Sequence, residues 1–218
     1  MNRALSINDL GVTFDSNLRF NMHVELKVNS AMKILGFTIR SSKCLNNIES
    51  IKLLFNAFVR ANLEYASEVW SPYYARYSVS IENVQRKFLK YIYYKKNKVY
   101  PPQGYPHPDL LTEFGVQSLH LRRKFSDLKF LNKVLTNALE IDTIYFNICL
   151  SSNRSSNRHP SLFTTPRACT NLLLNSPIVR MCYLGNKCAQ YINIGDIKPK
   201  MLNNFIENNN MASILGSI

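Results

Sequence analysis

Glu64 and Glu68 stand one helical turn apart, a spacing at which two carboxylates share a face and could divide general-acid and general-base work. No other carboxylate or histidine clusters with them in sequence, and Arg60 precedes Glu64 by one turn as an ion partner. The pair is therefore expected on an ordinary solvated helix face, and no catalytic residue is assigned. Metal chemistry has a comparable candidate in His159, Cys169, Cys182 and Cys188. On a helix, Cys182 and Cys188 point about 240° apart, whereas paired zinc ligands are separated by about two to four residues. Buried thiols are the expectation, with no metal ligand. His23 and His120 stand alone, without a nucleophile, and are expected to be structural.

Binding chemistry is better represented. Between Val69 and Lys98 seven lysines and arginines accompany seven tyrosines and phenylalanines, and Glu82 is the one acidic residue. Helical spacing assigns Ile81, Val84, Phe88, Tyr91 and Ile92 to a core stripe and places Arg86, Lys87, Lys90, Tyr93 and Tyr94 opposite it. Lys96 and Lys98 prolong the basic stretch. A second helix after Ser118 repeats the pattern, with Leu121, Phe125, Leu128, Leu131, Leu135 and Leu139 inside and Arg122, Lys129 and Lys133 on the flank. Ammonium and guanidinium groups bind phosphates by releasing counterions, and tyrosines stack on bases or pack on sugars. A polyanion is the partner this chemistry fits. Trp70, followed by Pro72, is expected to plug the core between helices instead of stacking on a base.

Those side chains require helices to hold them. Val24, Val28, Met32, Leu35 and Ile39 predict a helix over Phe20–Arg40. A second begins with Asn46 and Glu49 at capping-box spacing and runs until Pro72, burying Ile48, Ile51, Phe55, Phe58, Asn62 and Ala66. The basic helix is expected over about Ser80–Lys95, and "YPPQGYPHP" (Tyr100–Pro108) is a loop. Only "LGVTFD" (Leu10–Asp15) reads as a strand, without a partner of its own, followed by turn chemistry in "DSN". "SSNRSSNR" (Ser151–Arg158) writes one unit twice and is expected to be flexible. Ser176 with Pro177 marks a helix start, and a short helix is expected near Met201–Glu207. The fold class is mainly α: a helical bundle with a short N-terminal β element and a small helical C-terminal tail. The expected boundaries are 1–16 for the strand, 17–142 for the bundle, 143–175 for a partly flexible linker and 176–218 for the tail.

The 218 residues are 46% hydrophobic, enough for a core. A net charge of +13, from 27 basic and 14 acidic residues, points first to nucleic acid and second to an anionic membrane surface. No apolar run is long enough to span a bilayer, and the first residues lack the apolar core and cleavage site of a signal peptide. Five scattered cysteines fit reduced thiols, so nucleus or cytoplasm is the expected location, neither secreted nor transmembrane.

Several motifs in one order, "LGVTFDSNLRFNMHV", "LFNAFVRANLEYASEVWSP", "IENVQRKFLKYI", "FGVQSLHLRRKFSDLKFL" and "NSPIVRMCYLGNK", resemble the C-terminal, thumb and post-thumb part of a jockey-like non-LTR retrotransposon (LINE) reverse transcriptase. The resemblance covers nearly all of the chain after about Asp9. It implies that "LGV..D..L" is a remnant strand closing the palm, and that the next helices form a thumb lying along the minor groove of the template–primer duplex. It further places Arg60, Glu64, Trp70 and Pro72 in a structural thumb motif. The family's RNA-directed DNA polymerase centre uses two adjacent aspartates and Mg²⁺, and no two aspartates are adjacent here. The expectation is a nucleic-acid-binding piece without polymerase activity, holding RNA–DNA or DNA duplex without sequence readout and needing no cofactor. The palm and fingers of a parent polymerase are a further possible partner, and no small-molecule substrate is expected. The alternatives are a decayed transposon-derived reading frame without function and a basic membrane-surface protein.

Overall fold

In the computed structural model, which describes residues 5–136, 138–139, 162–165, 167, 169–189, 191 and 194, the chain is mainly helical behind a short hairpin. Ser6–Asp9 (β1) and Val12–Asp15 (β2) pair antiparallel, with Asp9 opposite Val12 and Ser6 opposite Asp15. This corrects the expectation of a strand without a partner. Leu10 and Gly11 make the turn with φ of 45° and 79°, both positive as a two-residue type I′ hairpin requires. Gly11 adopts this conformation without steric cost, whereas Leu10 is strained. β1 escaped sequence reading because serine, asparagine and aspartate are weak strand formers. Val12 is buried, while β1 is exposed along its whole length. Asp15 then closes the turn as "DSN" predicts, its carboxylate accepting the N–H groups of Asn17, Arg19 and Phe20 at 3.0, 3.0 and 2.9 Å.

Asn21–Ser41 (α1) matches the first expected helix and buries His23, Val24, Ala31, Leu35 and Thr38. Val28, Met32 and Ile39 pack partly buried against the same core. His23 ties α1 to the hairpin: its Nδ1 accepts the Thr13 N–H at 3.1 Å, and its ring meets Trp70 edge-on at 5.1 Å. Burial, and secondly the charge of Lys27, lower its pKa to about 4, so the imidazole is neutral at neutral pH.

The second helix departs from expectation in three ways. Its cap is Asn47, whose side chain accepts the Glu49 N–H at 2.9 Å, instead of Asn46. Ile48–Leu54 (α2) passes into a π-helical stretch, Phe55–Arg60, before Ala61–Glu64 (α3). The buried residues are Ile51, Phe55, Val59 and Leu63, spaced by four throughout. In an α-helix such spacing drifts by about 120° over the three steps, and the wider π winding keeps all four facing the core. Phe58, expected inside, is consequently 58% exposed. The third departure is a break: Tyr65 is extended, Ala66 is left-handed at φ 53°, and Ser67–Trp70 (α4) starts anew. Glu64 and Glu68 therefore do not lie on one continuous helix. Tyr65 uses the break twice, accepting the Trp70 indole N–H at its carbonyl (2.7 Å) and donating its hydroxyl to Leu10 O (3.0 Å).

Ala75–Asn97 (α5) crosses the core, where Phe55 stacks on Phe88 at 3.9 Å. Glu25 meets Tyr77, and Ser42 meets Tyr91, so α1 and α5 run in the same direction. His107–Glu113 (α6) follows the proline-rich loop, and Leu119–Leu135 (α7) begins where Glu82 Oε1 accepts the His120 N–H. That carboxylate caps a helix other than its own, which accounts for the one acidic residue in the basic stretch.

The chain divides into two compact units, Met1–His120 and Leu121–Ile218. The expected bundle boundary at Asp142 and the repeat Ser151–Arg158 lie outside the described residues, as do Met201–Glu207. Within the second unit, α7 buries Leu121, Phe125, Leu128, Leu131 and Val134. Asn171–Leu174 (α8) is capped by the Thr170 hydroxyl, and Pro177–Ala189 (α9) follows. The Ser176 carbonyl accepts the Arg180 N–H at the start of α9, but its hydroxyl donates back to Leu173 O and does not cap. Asn186 pairs its amide with both backbone groups of Phe163, at 2.8 and 2.9 Å.

Candidate nucleic-acid interface

The basic face belongs to α5, and the fold sorts its residues into zones finer than the two faces expected. At 100° per residue, Arg76, Asn83, Lys87 and Lys90 fall within about 40° of Tyr94. Arg76, Asn83, Lys87 and Tyr94 are exposed and Lys90 is half-buried, so this arc is the outward stripe. Arg86 and Tyr93 lie about 80–100° to one side, and the proline-rich loop covers them. Arg86 donates to Tyr105 O at 3.0 Å, and the Tyr93 ring packs against Tyr105 at 5.8 Å. His107 joins the same flank through Glu82, at 3.4 Å. Assigning Arg86 and Tyr93 to the solvent-facing arc is thus corrected: both help hold the loop to the helix.

The end of α5 carries four further features. Lys95, about 100° to the other side, donates to Lys43 O and Leu45 O at 2.6 and 3.1 Å, satisfying carbonyls beyond the end of α1. Lys96 is bound to Glu113 at 2.9 Å and lies over the Phe114 ring, so its charge is engaged within the fold. Lys98 is exposed and left-handed at φ 60°, its N–H returning to Tyr94 O at 2.8 Å. The chain reversal there sets Tyr100 against Tyr94, with centroids 4.6 Å apart and ring planes 14° from parallel. Lys87, Lys90 and Lys98 have no ion partner among the described residues.

In the second unit, Lys133 is exposed and Arg122 and Lys129 are half-buried. The neighbouring charges are more deeply placed. Asp127 is fully buried and receives Arg180 at both oxygens, 2.8 and 3.0 Å, while Arg123 and Lys124 are buried beside it in sequence. Burial, then the charges of Lys187 and Arg123, lower the Lys124 pKa. Only the arginine–lysine run of α7 hinted at this cluster, because Arg180 is remote in sequence.

The remaining described candidates are structural in their surroundings, and His159 lies outside the described residues. Trp70 is buried at 1% exposure against His23, and Arg60 and Glu64 approach to 3.9 Å. Pro72 follows Ser71, the C-cap of α4, in the segment before α5. Cys182 and Cys188 are buried, with burial pushing the Cys188 thiol up to about 11, and Cys169 is exposed. Among the described residues no group of histidine, cysteine or carboxylate side chains could hold a metal ion, and no helix is long and apolar enough to cross a membrane. Arg76 and Tyr100 were missed on the basic face. The seven-residue step from Arg76 to Asn83 and on to Lys87, Lys90 and Tyr94 was the available signal for the first, and nothing in the periodicity pointed to the second. Comparison with family models, curated proteins and solved structures gives no match.

Proposed function

We propose that this chain binds nucleic acid duplex through the outward stripe of α5, as a thumb-like module of the jockey-like reverse transcriptase kind, and has no polymerase activity of its own. The supporting observation is that Lys87 and the half-buried Lys90 stand on one outward arc with Arg76 and Tyr94, in a chain of net charge +13. Such a row contacts phosphates along a groove and reads no bases, so affinity depends on salt more than on sequence. The family assignment rests on the motif order alone, and the lack of polymerase activity on the absence of adjacent aspartates.

The test is a salt titration of binding to an RNA–DNA duplex. Removing one lysine–phosphate pairing should lower the slope of log affinity against log salt by about 0.9. Lys87→Gln with Lys90→Gln should therefore reduce the slope by nearly two, about equally for unrelated sequences. An unchanged slope in this double variant, with helicity intact, would return the stripe to ordinary solvated lysines. Binding to anionic vesicles in place of duplex would favour the membrane-surface alternative. Extension of a primed template by a clean preparation with Mg²⁺ would refute the absence of activity.

A further inference from the structure

We propose that the stacked rings of Tyr94 and Tyr100 seat an unpaired nucleobase, so that the preferred ligand of this face is a duplex carrying a single-stranded extension. The inference rests on the nucleic-acid reading above and narrows its substrate class. The pair ends the outward stripe of α5, with Lys90 one turn before Tyr94 and Lys98 between the two tyrosines in sequence. The rings already lie near parallel at 4.6 Å, so each has spent one face on the other. Tyr94 remains 38% exposed, Tyr100 58% and the intervening Val99 67%.

A helix stop commonly draws a residue past the cap against the last turn. That accounts for Tyr100 touching Tyr94, and any apolar side chain would serve. It does not account for two aligned aromatic rings left in solvent beside Val99, flanked by lysines without an ion partner among the described residues. Tyr93, one residue away, shows the other outcome: it is packed on Tyr105 and partly buried in the core. A purine or pyrimidine added to the stack would cover exposed aromatic surface, and its phosphates would meet Lys90 and Lys98. Every base has a π-face, so this seat selects unpaired over paired nucleotides without selecting sequence.

Fluorescence anisotropy on the full chain tests this with a blunt RNA–DNA duplex and with the same duplex bearing a short extension that carries 2-aminopurine at its first unpaired position. The extended duplex should bind about tenfold more tightly than the blunt one, and the 2-aminopurine emission should be quenched on binding. Tyr100→Ala, a loop change outside the core, should erase both the preference and the quenching while leaving blunt-duplex affinity within about twofold. Tyr100→Phe should retain all three. Equal affinity of the parent chain for both ligands would overturn the base seat while leaving the basic stripe standing. So would a preference that survives Tyr100→Ala. Failure of both duplexes to bind would overturn the nucleic-acid reading and the seat with it.

Discussion

Acidification should destabilise this fold through His23 in a pH window set by that residue. The imidazole is enclosed between Thr13, Trp70 and α1, and its pKa falls from 6.5 to about 4, first by burial and then by Lys27. Above pH 6.5 neither the folded nor the unfolded chain protonates this group, so it confers no pH dependence. As pH falls from there the unfolded chain takes up a proton that the folded chain refuses, and stability drops until about pH 4. The shift of 2.5 units (6.5 − 4) corresponds to about 3 kcal/mol in full, and to about 2 kcal/mol at pH 5. His23→Asn removes the titration while offering an oxygen to the Thr13 N–H. The assay is urea unfolding near neutrality and near pH 5, followed by the fluorescence of Trp70, the chain's one tryptophan. His23→Asn should be the less stable protein near neutrality, without the ring packing on Trp70, and should lose about 2 kcal/mol less than the parent on acidification. Every other ionisable group is common to the two proteins, so the difference between their losses isolates His23. Parallel losses in the two proteins would show that His23 accommodates its proton, and the account of its burial would fail.

Three further changes have defined outcomes. Lys98→Gly relieves a left-handed backbone that costs a side-chain-bearing residue about 1 kcal/mol, so it should raise stability by that amount while lowering the salt slope of duplex binding. Gly185→Ala would set a methyl 2.6 Å from Phe163 Cε2 and 2.9 Å from Leu131 Cδ2, and calorimetry or denaturant unfolding should show a loss of about 1–3 kcal/mol. Asp127→Asn takes the buried anion from the half-buried Arg180 guanidinium, and a destabilisation of about 2 kcal/mol in denaturant unfolding is expected.

What was legible in the sequence depended on how much of the local structure followed from periodicity. Ile81, Val84, Phe88, Tyr91 and Ile92 recur at helical spacing and are all buried, so the core side of α5 could be read directly. Its outer side could not, because a helical wheel distinguishes inside from outside but does not show that the loop after Tyr100 returns to cover one flank. Arg86 and Tyr93 were misplaced for that reason. Phe58 was misassigned because an α-helical period was applied where the winding is π. The break at Ala66 left no mark, since alanine is the residue a helix favours most and nothing nearby announces a left-handed turn. The partner strand Ser6–Asp9 was hidden by its polar composition, with only Gly11 to signal the turn.

The π-helical stretch also bears on changes in chain length. From Ile51 to Leu63 is a step of twelve residues, which regular α-helix would leave about 120° out of phase; a step of eleven would leave about 20°. The segment therefore holds one surplus residue, absorbed as a wider turn at Phe55–Arg60. Removing a single solvent-facing residue there, such as Ala57, would let the backbone revert to α-helical hydrogen bonding with Ile51 and Leu63 still directed at the same core. The same deletion within α1 or α5 would rotate every later side chain of that helix by about 100° and bring its polar face inward. Loss of one residue is thus tolerable at this place in the bundle and ruinous elsewhere along its long helices. A deletion scan through residues 48–64 should recover folded protein in a narrow window centred on the wide turn.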